Sequence, residues 1–220
     1  MNKLVIKIVI LFCFPTMIYS QTNYSKEEIY KLWTKITNQT KTQFDYKFHF
    51  NPVVINFIDS LKDSGIDTIG AYGEQYVGAY TLDSCKCGMT PWMTVVQWID
   101  NGQTFHRLMT ECCHFKTKKI NNSVMIRYYA NCKSQIDHEW ILPNITSVSK
   151  DKNGEILLTF SMIDHTTHYS IYCDLNNHTR FLTFEMYDFV NKESIFYYDN
   201  NNSIIKSWRD MIISQIKEIN

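Results

Sequence analysis

The chain has 220 residues, with 22 basic side chains against 22 acidic ones. Balanced charge removes the electrostatic argument for nucleic acid or an anionic membrane as a partner. Length and composition agree with one soluble domain able to bury a core, and no Pro-, Gly- or Ser-rich linker or internal repeat divides it.

Residues 1–20 read as a secretory signal. A basic start at Lys3 leads into an apolar run from Leu4 to Phe14, which Pro15 ends. Cleavage is expected after Ser20, and the apolar run is shorter than the about 20 residues a membrane span needs. The sequence therefore predicts a secreted or periplasmic protein with a single domain over residues 21–220. No membrane span is expected after cleavage.

A helix is expected from the capping box Ser25-Lys26-Glu27-Glu28, with Ile29, Leu32, Trp33 and Ile36 on its apolar face. A second helix begins at Asn51-Pro52, carries Val54, Phe57, Ile58 and Leu61, and stops at Gly65. Gly70, Gly73 and Gly78 then alternate with Tyr72, Tyr76 and Tyr80, which suits a strand with bulges or close backbone approaches. These tyrosines are candidates to line a groove for a sugar or a peptide. The glycines match no phosphate-cradling pattern, and no cofactor is expected.

Asp100-Asn101-Gly102 marks a type I′ hairpin between Trp92–Ile99 and Gln103–Met109. Its register sets Asp100 opposite Gln103, Trp98 opposite Phe105 and Gln97 opposite His106. Continued outward, it sets Cys112 and Cys113 opposite Pro91 and Thr90. Residues 120–142 fit a strand or a helix, with Pro143 as the stop. Strands are expected at Glu155–Ile163, Tyr169–Asp174 and Arg180–Asp188, with another at Ile195–Tyr198. A final helix from Ser203 aligns Ile204, Trp208, Met211, Ile212, Gln215, Ile216 and Ile219, all apolar except Gln215. The fold class is α+β. It is a mainly antiparallel sheet with two N-terminal helices and a C-terminal amphipathic helix packed on it.

Cys13 falls in the signal, which leaves Cys85, Cys87, Cys112, Cys113, Cys132 and Cys173. An even number in an oxidising compartment points to disulfides. The hairpin register brings Cys85 or Cys87 towards Cys112 or Cys113, with Cys132 and Cys173 as the remaining pair. The alternative is a soft-metal or redox site built from Cys85, Cys87, Cys112, Cys113 and His114, although Cys-x-Cys and Cys-Cys miss the usual zinc spacing.

Candidates for acid–base work are His106, His138, Glu139, Asp164, His165 and His168. Asp137-His138-Glu139 also reads as a polar turn before Trp140, and Asp164–His168 as a polar hairpin tip. No nucleophile elbow or His-Glu-x-x-His pair occurs. The sequence favours a non-catalytic domain that binds another exported or envelope macromolecule, possible roles including an inhibitor or immunity-type protein. A hydrolase acting on cell-wall or glycan material is the alternative.

Overall fold

A computed structural model describes residues 46–76, 92–110, 113–154, 156–161, 163 and 166–219, together with Ser25, Glu28, Ile29, Lys31 and Leu32. Ser25 and Glu28 form the capping box, the Ser25 N–H donating to Glu28 Oε2 at 2.8 Å and the Glu28 N–H to Ser25 Oγ at 3.2 Å. Trp33 and Ile36 lie outside the described residues.

Helix α1 spans Pro52–Asp63, and the Val53 N–H donates to the Asn51 cap. It closes where the backbone turns left-handed at Gly65, with the Gly65 N–H donating to Lys62 and the Ile66 N–H to Leu61. That pair of bonds satisfies two orphan carbonyls of the last turn.

Strand β1 (Thr68–Tyr76) follows, then β2 (Trp92–Asp100), β3 (Gln103–Thr110) and β4 (Lys118–Ile120). The β2–β3 hairpin has the expected register, with Asp100 opposite Gln103, Trp98 opposite Phe105 and Gln97 opposite His106. Asn101 and Gly102 both take positive φ, as a type I′ turn requires. Beyond Thr110 the chain departs from the extrapolated register. The Thr110 N–H donates to the Cys113 carbonyl, and Met109 bridges His114. The strand folds back on itself there, and Thr90, Pro91 and Cys112 of the extrapolated pairing lie outside the described residues.

Residues 124–136 are a helix, α2, capped by Ser123 Oγ on the Ile126 N–H. It ends at Ile136, well short of Pro143. Next comes β5 (Ile145–Lys150), which pairs with β6 (Ile156–Phe160) in a separate two-stranded sheet. The expected strand at Glu155–Ile163 therefore does not join the main sheet. Strands β7 (Thr167–Leu175) and β8 (His178–Glu185) form a second tight hairpin through Asn176 and Asn177, both left-handed. Short helices α3 (Tyr187–Val190) and α4 (Tyr197–Asn201) precede the C-terminal α5 (Ile204–Ile219). The strand expected at Ile195–Tyr198 gives way to α4, where Asn200 hydrogen-bonds both polar backbone groups of Leu142.

The main sheet is antiparallel throughout, in the order β4-β3-β2-β1-β7-β8. The fold is α+β. It differs from expectation in its helices. α1 covers one face, packing Val54 and Ile58 on Ile69, Ala71, Val96 and Tyr172. α2 and α5 cover the other, packing Met125, Tyr129, Trp208 and Ile212 on Tyr72, Val95, Ile171 and Leu182. Ile29 joins neither face and packs with Ile145, Val148 and Leu158 of the small sheet.

β1 runs in unbroken register with both neighbours, so its glycines mark close approaches and not bulges. A Cβ at Gly70 would lie 2.9 Å from the Met125 terminal methyl, and one at Gly73 would lie 2.9 Å from the Phe50 ring.

Gln215, the polar exception on the α5 face, is held by a buried network. Its Oε1 accepts from Gln97 Nε2 at 3.1 Å and from the Val124 N–H at 3.0 Å, and its Nε2 donates to the Asn122 carbonyl at 2.9 Å. Ser123 Oγ donates to Gln97 Oε1. A buried group left without a partner costs about 1–3 kcal/mol. Gln215→Leu is expected to lower the unfolding free energy by about 2–4 kcal/mol in chemical denaturation. Met211→Ala, at a side chain 44% exposed, is expected to stay within about 0.5 kcal/mol of wild type. A Gln215→Leu protein as stable as wild type would assign the α5 contact to apolar burial alone.

Candidate functional site

On the α1 side of the sheet, three successive rows of side chains change character. Val96, Ala71, Tyr172 and Phe181 stand in line across β2, β1, β7 and β8, and the row packs against α1. Two residues further along come Thr94, Gly73, Ser170 and Thr183, and two further Trp92, Gln75, His168 and Glu185. α1 does not reach the last two rows, because its first turn begins at Pro52 and the preceding His49, Phe50 and Asn51 form a wall there. The uncovered end is a cleft of about 580 Å³. That falls within the roughly 300–1,000 Å³ common for small-ligand sites.

The floor is polar. Thr94 is 3% exposed and Ser170 7%. Both line the cleft, and their hydroxyls open into it without a partner among the described residues. Thr183 adds a more exposed hydroxyl at the β8 side. Phe50 lies over Gly73, where no side chain competes for the space. Trp92, half-buried, closes the β2 side. Asn51 Oδ1 is committed to the α1 cap, which leaves its amide group as a donor.

His49 stacks on Phe181 with ring centroids 5.1 Å apart. Burial, and then the nearby His168, push its pKa below the ordinary histidine value, so it is neutral at pH 7. His168 Nδ1 lies 3.4 Å from Glu185 Oε1. Glu74 sits at the rim, but its carboxylate is drawn to the opposite face. Tyr72 donates to Oε1 at 2.6 Å, and Tyr76 donates to Oε2. No lysine or arginine is among the described residues that line the cleft.

Of the sequence candidates among the described residues, only His168 lines this cleft. His138 is exposed at the end of α2, with Nδ1 2.7 Å from the Ser134 carbonyl. Glu139 Oε2 accepts from the Ile205 N–H at 3.1 Å and so caps α5. Both serve helix ends, in agreement with a polar turn before Trp140. His106 is buried on the opposite face, its Nδ1 3.3 Å from Gln97 Nε2. Asp164 and His165 lie outside the described residues. The acid–base set expected of a hydrolase does not converge among the described residues.

Tyr72 and Tyr76 belong to the Glu74 clasp on the far face and do not line the cleft, and Tyr80 lies outside the described residues. Cys132 and Cys173 are free thiols, so the expected Cys132–Cys173 bridge is not formed. Cys85, Cys87 and Cys112 lie outside the described residues. Among the described residues no group of three or more His, Cys, Asp or Glu side chains is placed to hold a metal ion. Likewise, no described helix is long and apolar enough to cross a membrane.

Sequence reading missed His49, Trp92, Thr94, Ser170 and Thr183. A signal was present in the strand alternation. Trp98, Val96 and Thr94 are successive inward positions of β2, and Tyr172, Ser170 and His168 those of β7. Each series turns polar at the same level. Comparison with known proteins adds nothing to this geometry: no family model, curated protein or solved structure matches the chain.

Two buried groups give the stability opposing pH dependences. Burial, reinforced by Lys118, lowers the His106 pKa to about 4. The unfolded chain therefore binds a proton that the folded one refuses, and stability falls as pH drops from about 6.5 to 4, by about 3 kcal/mol in all. Burial, with Glu185 nearby, raises the Asp188 pKa to about 7. Here the folded state keeps a proton that the unfolded chain releases, so stability falls as pH rises from about 4 to 7. His106→Gln is expected to steepen the fall towards pH 7, and Asp188→Asn to steepen the loss on acidification. Denaturant titrations across this range check both signs. Native alkylation is expected to spare Cys173, whose thiol is buried and held well above its ordinary pKa. Peptide mapping would show modification there only after denaturation.

Proposed function

We propose that the protein is an exported, non-catalytic binding protein whose ligand, a component of the extracytoplasmic envelope, seats in the cleft between Phe50, Trp92 and Ser170. The single observation that carries this reading is the pair of hydroxyls on the cleft floor, borne by the buried residues Thr94 and Ser170, which open into the cleft without a partner among the described residues. A ligand that expels water from the cleft has to supply the hydrogen bonds these groups would lose. Catalysis has less support, because no hydrogen bond among the described residues links either imidazole of the cleft, or the His168–Glu185 pair, to a hydroxyl it could activate.

Export belongs to the same proposal and rests on the leader over residues 1–20 and the cysteine content. Since Cys132 and Cys173 are free thiols, the exported chain is expected to run at most about 4 Da below its reduced mass, two bridges' worth of hydrogen. A deficit of about 6 Da in the intact mass would overturn that assignment.

The binding reading is tested with isotope-labelled protein from the exporting compartment and fractions of soluble envelope extract. The side-chain signals of His49 and His168 are expected to shift with one fraction. Thr183→Trp, which fills the cleft from an exposed position, is expected to abolish the shift. Perturbations confined to other surfaces would overturn the cleft as the site. Conversion of an extract component to a new product would make the protein an enzyme.

A further inference from the structure

We infer that the cleft takes a neutral, polyhydroxylated ligand, a short segment of glycan, stacked on Trp92 and hydrogen-bonded across the Thr94–Ser170 row. The inference rests on the binding reading above and names the chemistry of its ligand.

The first argument is charge. A phosphate or a peptide carboxylate is ordinarily met by arginine or lysine. Neither residue is among the described ones lining the cleft. His49 is held neutral by burial, so it brings no positive charge at pH 7. His168 faces the Glu185 carboxylate, which would repel an anion placed beside it. Among the described residues, a cationic ligand finds no carboxylate in the middle of the cleft either, because Tyr72 and Tyr76 hold that of Glu74 on the other face of the sheet.

The second argument is the kind of hydrogen bond on offer. The hydroxyls of Thr94, Ser170 and Thr183 each donate one proton and accept others, and the free half of the Asn51 amide donates. A sugar hydroxyl is likewise donor and acceptor, so it can satisfy both roles of the groups it meets. An apolar ligand would leave the buried Thr94 and Ser170 oxygens unpaired, which is unfavourable.

The third argument is shape. The Phe50 ring takes the place of a side chain at Gly73, between the hydroxyls of Thr94 and Ser170, and Trp92 stands at the β2 side. An indole face beside polar groups suits a ring with an apolar C–H face and a hydroxylated rim. The volume of about 580 Å³ admits more than one such ring.

The test is titration calorimetry of the exported protein with cellotriose, maltotriose and tri-N-acetylchitotriose, and with inorganic phosphate and trialanine for comparison. At least one trisaccharide is expected to bind, and phosphate and trialanine are not. Trp92→Ala is expected to weaken the trisaccharide at least tenfold, about 1.4 kcal/mol. The double variant Thr94→Val, Ser170→Ala is expected to weaken it comparably. The near-ultraviolet dichroism of the buried Trp208 reports that each variant is folded. Binding of phosphate or trialanine in place of the sugars overturns the inference, as does sugar affinity that neither variant changes. If no trisaccharide binds while the Thr183-sensitive shifts with envelope extract persist, the glycan class falls and the binding reading stands. If those shifts are absent as well, both fall.

Discussion

The carboxamide of Gln215 sits in an otherwise apolar contact between α5 and the sheet, and the arrangement of that whole face follows from it. One side chain bonds Gln97 in the centre of β2, the Val124 N–H in the first turn of α2 and the Asn122 carbonyl just before that turn. Apolar contacts alone would tolerate a helix slid by a residue or rotated by some degrees. Three directional bonds, to β2 and to the start of α2, do not. Trp208 adds a fourth tie about two turns earlier, its Nε1 donating to the Met125 carbonyl at 2.9 Å. The network also fixes the imidazole of His106. If Gln97 donates to Nδ1, the ring proton sits on Nε2, which is buried without a partner. That unpaired N–H is the weak point of the network.

β1 sets the thickness of the molecule on both sides. Gly70 faces α2 and lets Met125 and Ile126 approach the backbone, while Gly73 faces the other way and lets Phe50 do the same. Residues three apart on a strand point to opposite faces. The two glycines therefore seat elements on opposite sides, and they do so at different heights. At the Gly70 level the sheet is sandwiched. At the Gly73 level only a single aromatic ring and the start of α1 stand over it, and the floor turns from apolar to hydroxylated. The cleft is what remains when a helix stops two rows short of the end of its sheet.

Where a structural signal was local, the sequence carried it in full. Asn51-Pro52 and Gly65 bracket α1 because capping is decided within a few residues. Asn101-Gly102 fixes the β2–β3 register because the turn geometry alone sets the pairing. Nonlocal choices were not legible. Residues 124–136 alternate well enough for a strand, and what selects the helix is the Ser123 cap together with the surface that α5 and β1 provide. β6 reads like any meander strand, yet it pairs with β5 outside the main sheet. The cleft is nonlocal in the same sense. Its floor takes one residue each from β2, β1, β7 and β8, and no window of sequence contains them together. Gln215 is the instructive intermediate. The periodicity marked it as a polar misfit, while only the fold identifies the groups that it satisfies.

The placement of charge underlies the recognition role proposed for this surface. A carboxylate within reach of two imidazoles is the usual start of an acid–base site. β1 supplies one at Glu74, between the inward positions Gly73 and Gln75. Strand alternation sends it to the far face, where Tyr72 and Tyr76 hold it. The tyrosine pKa values rise accordingly, through burial first and the carboxylate next, so both phenols are protonated donors at neutral pH. The carboxylate is engaged there, and among the described residues the cleft-side groups beside Gly73, Phe50, Thr94 and Ser170, are uncharged. Glu185 is the carboxylate that does share the face, and it lies at the outer row against His168, away from the Thr94–Ser170 floor. Polar groups without net charge, arranged on a strand platform beside aromatic rings, discriminate by shape and hydrogen-bond pattern.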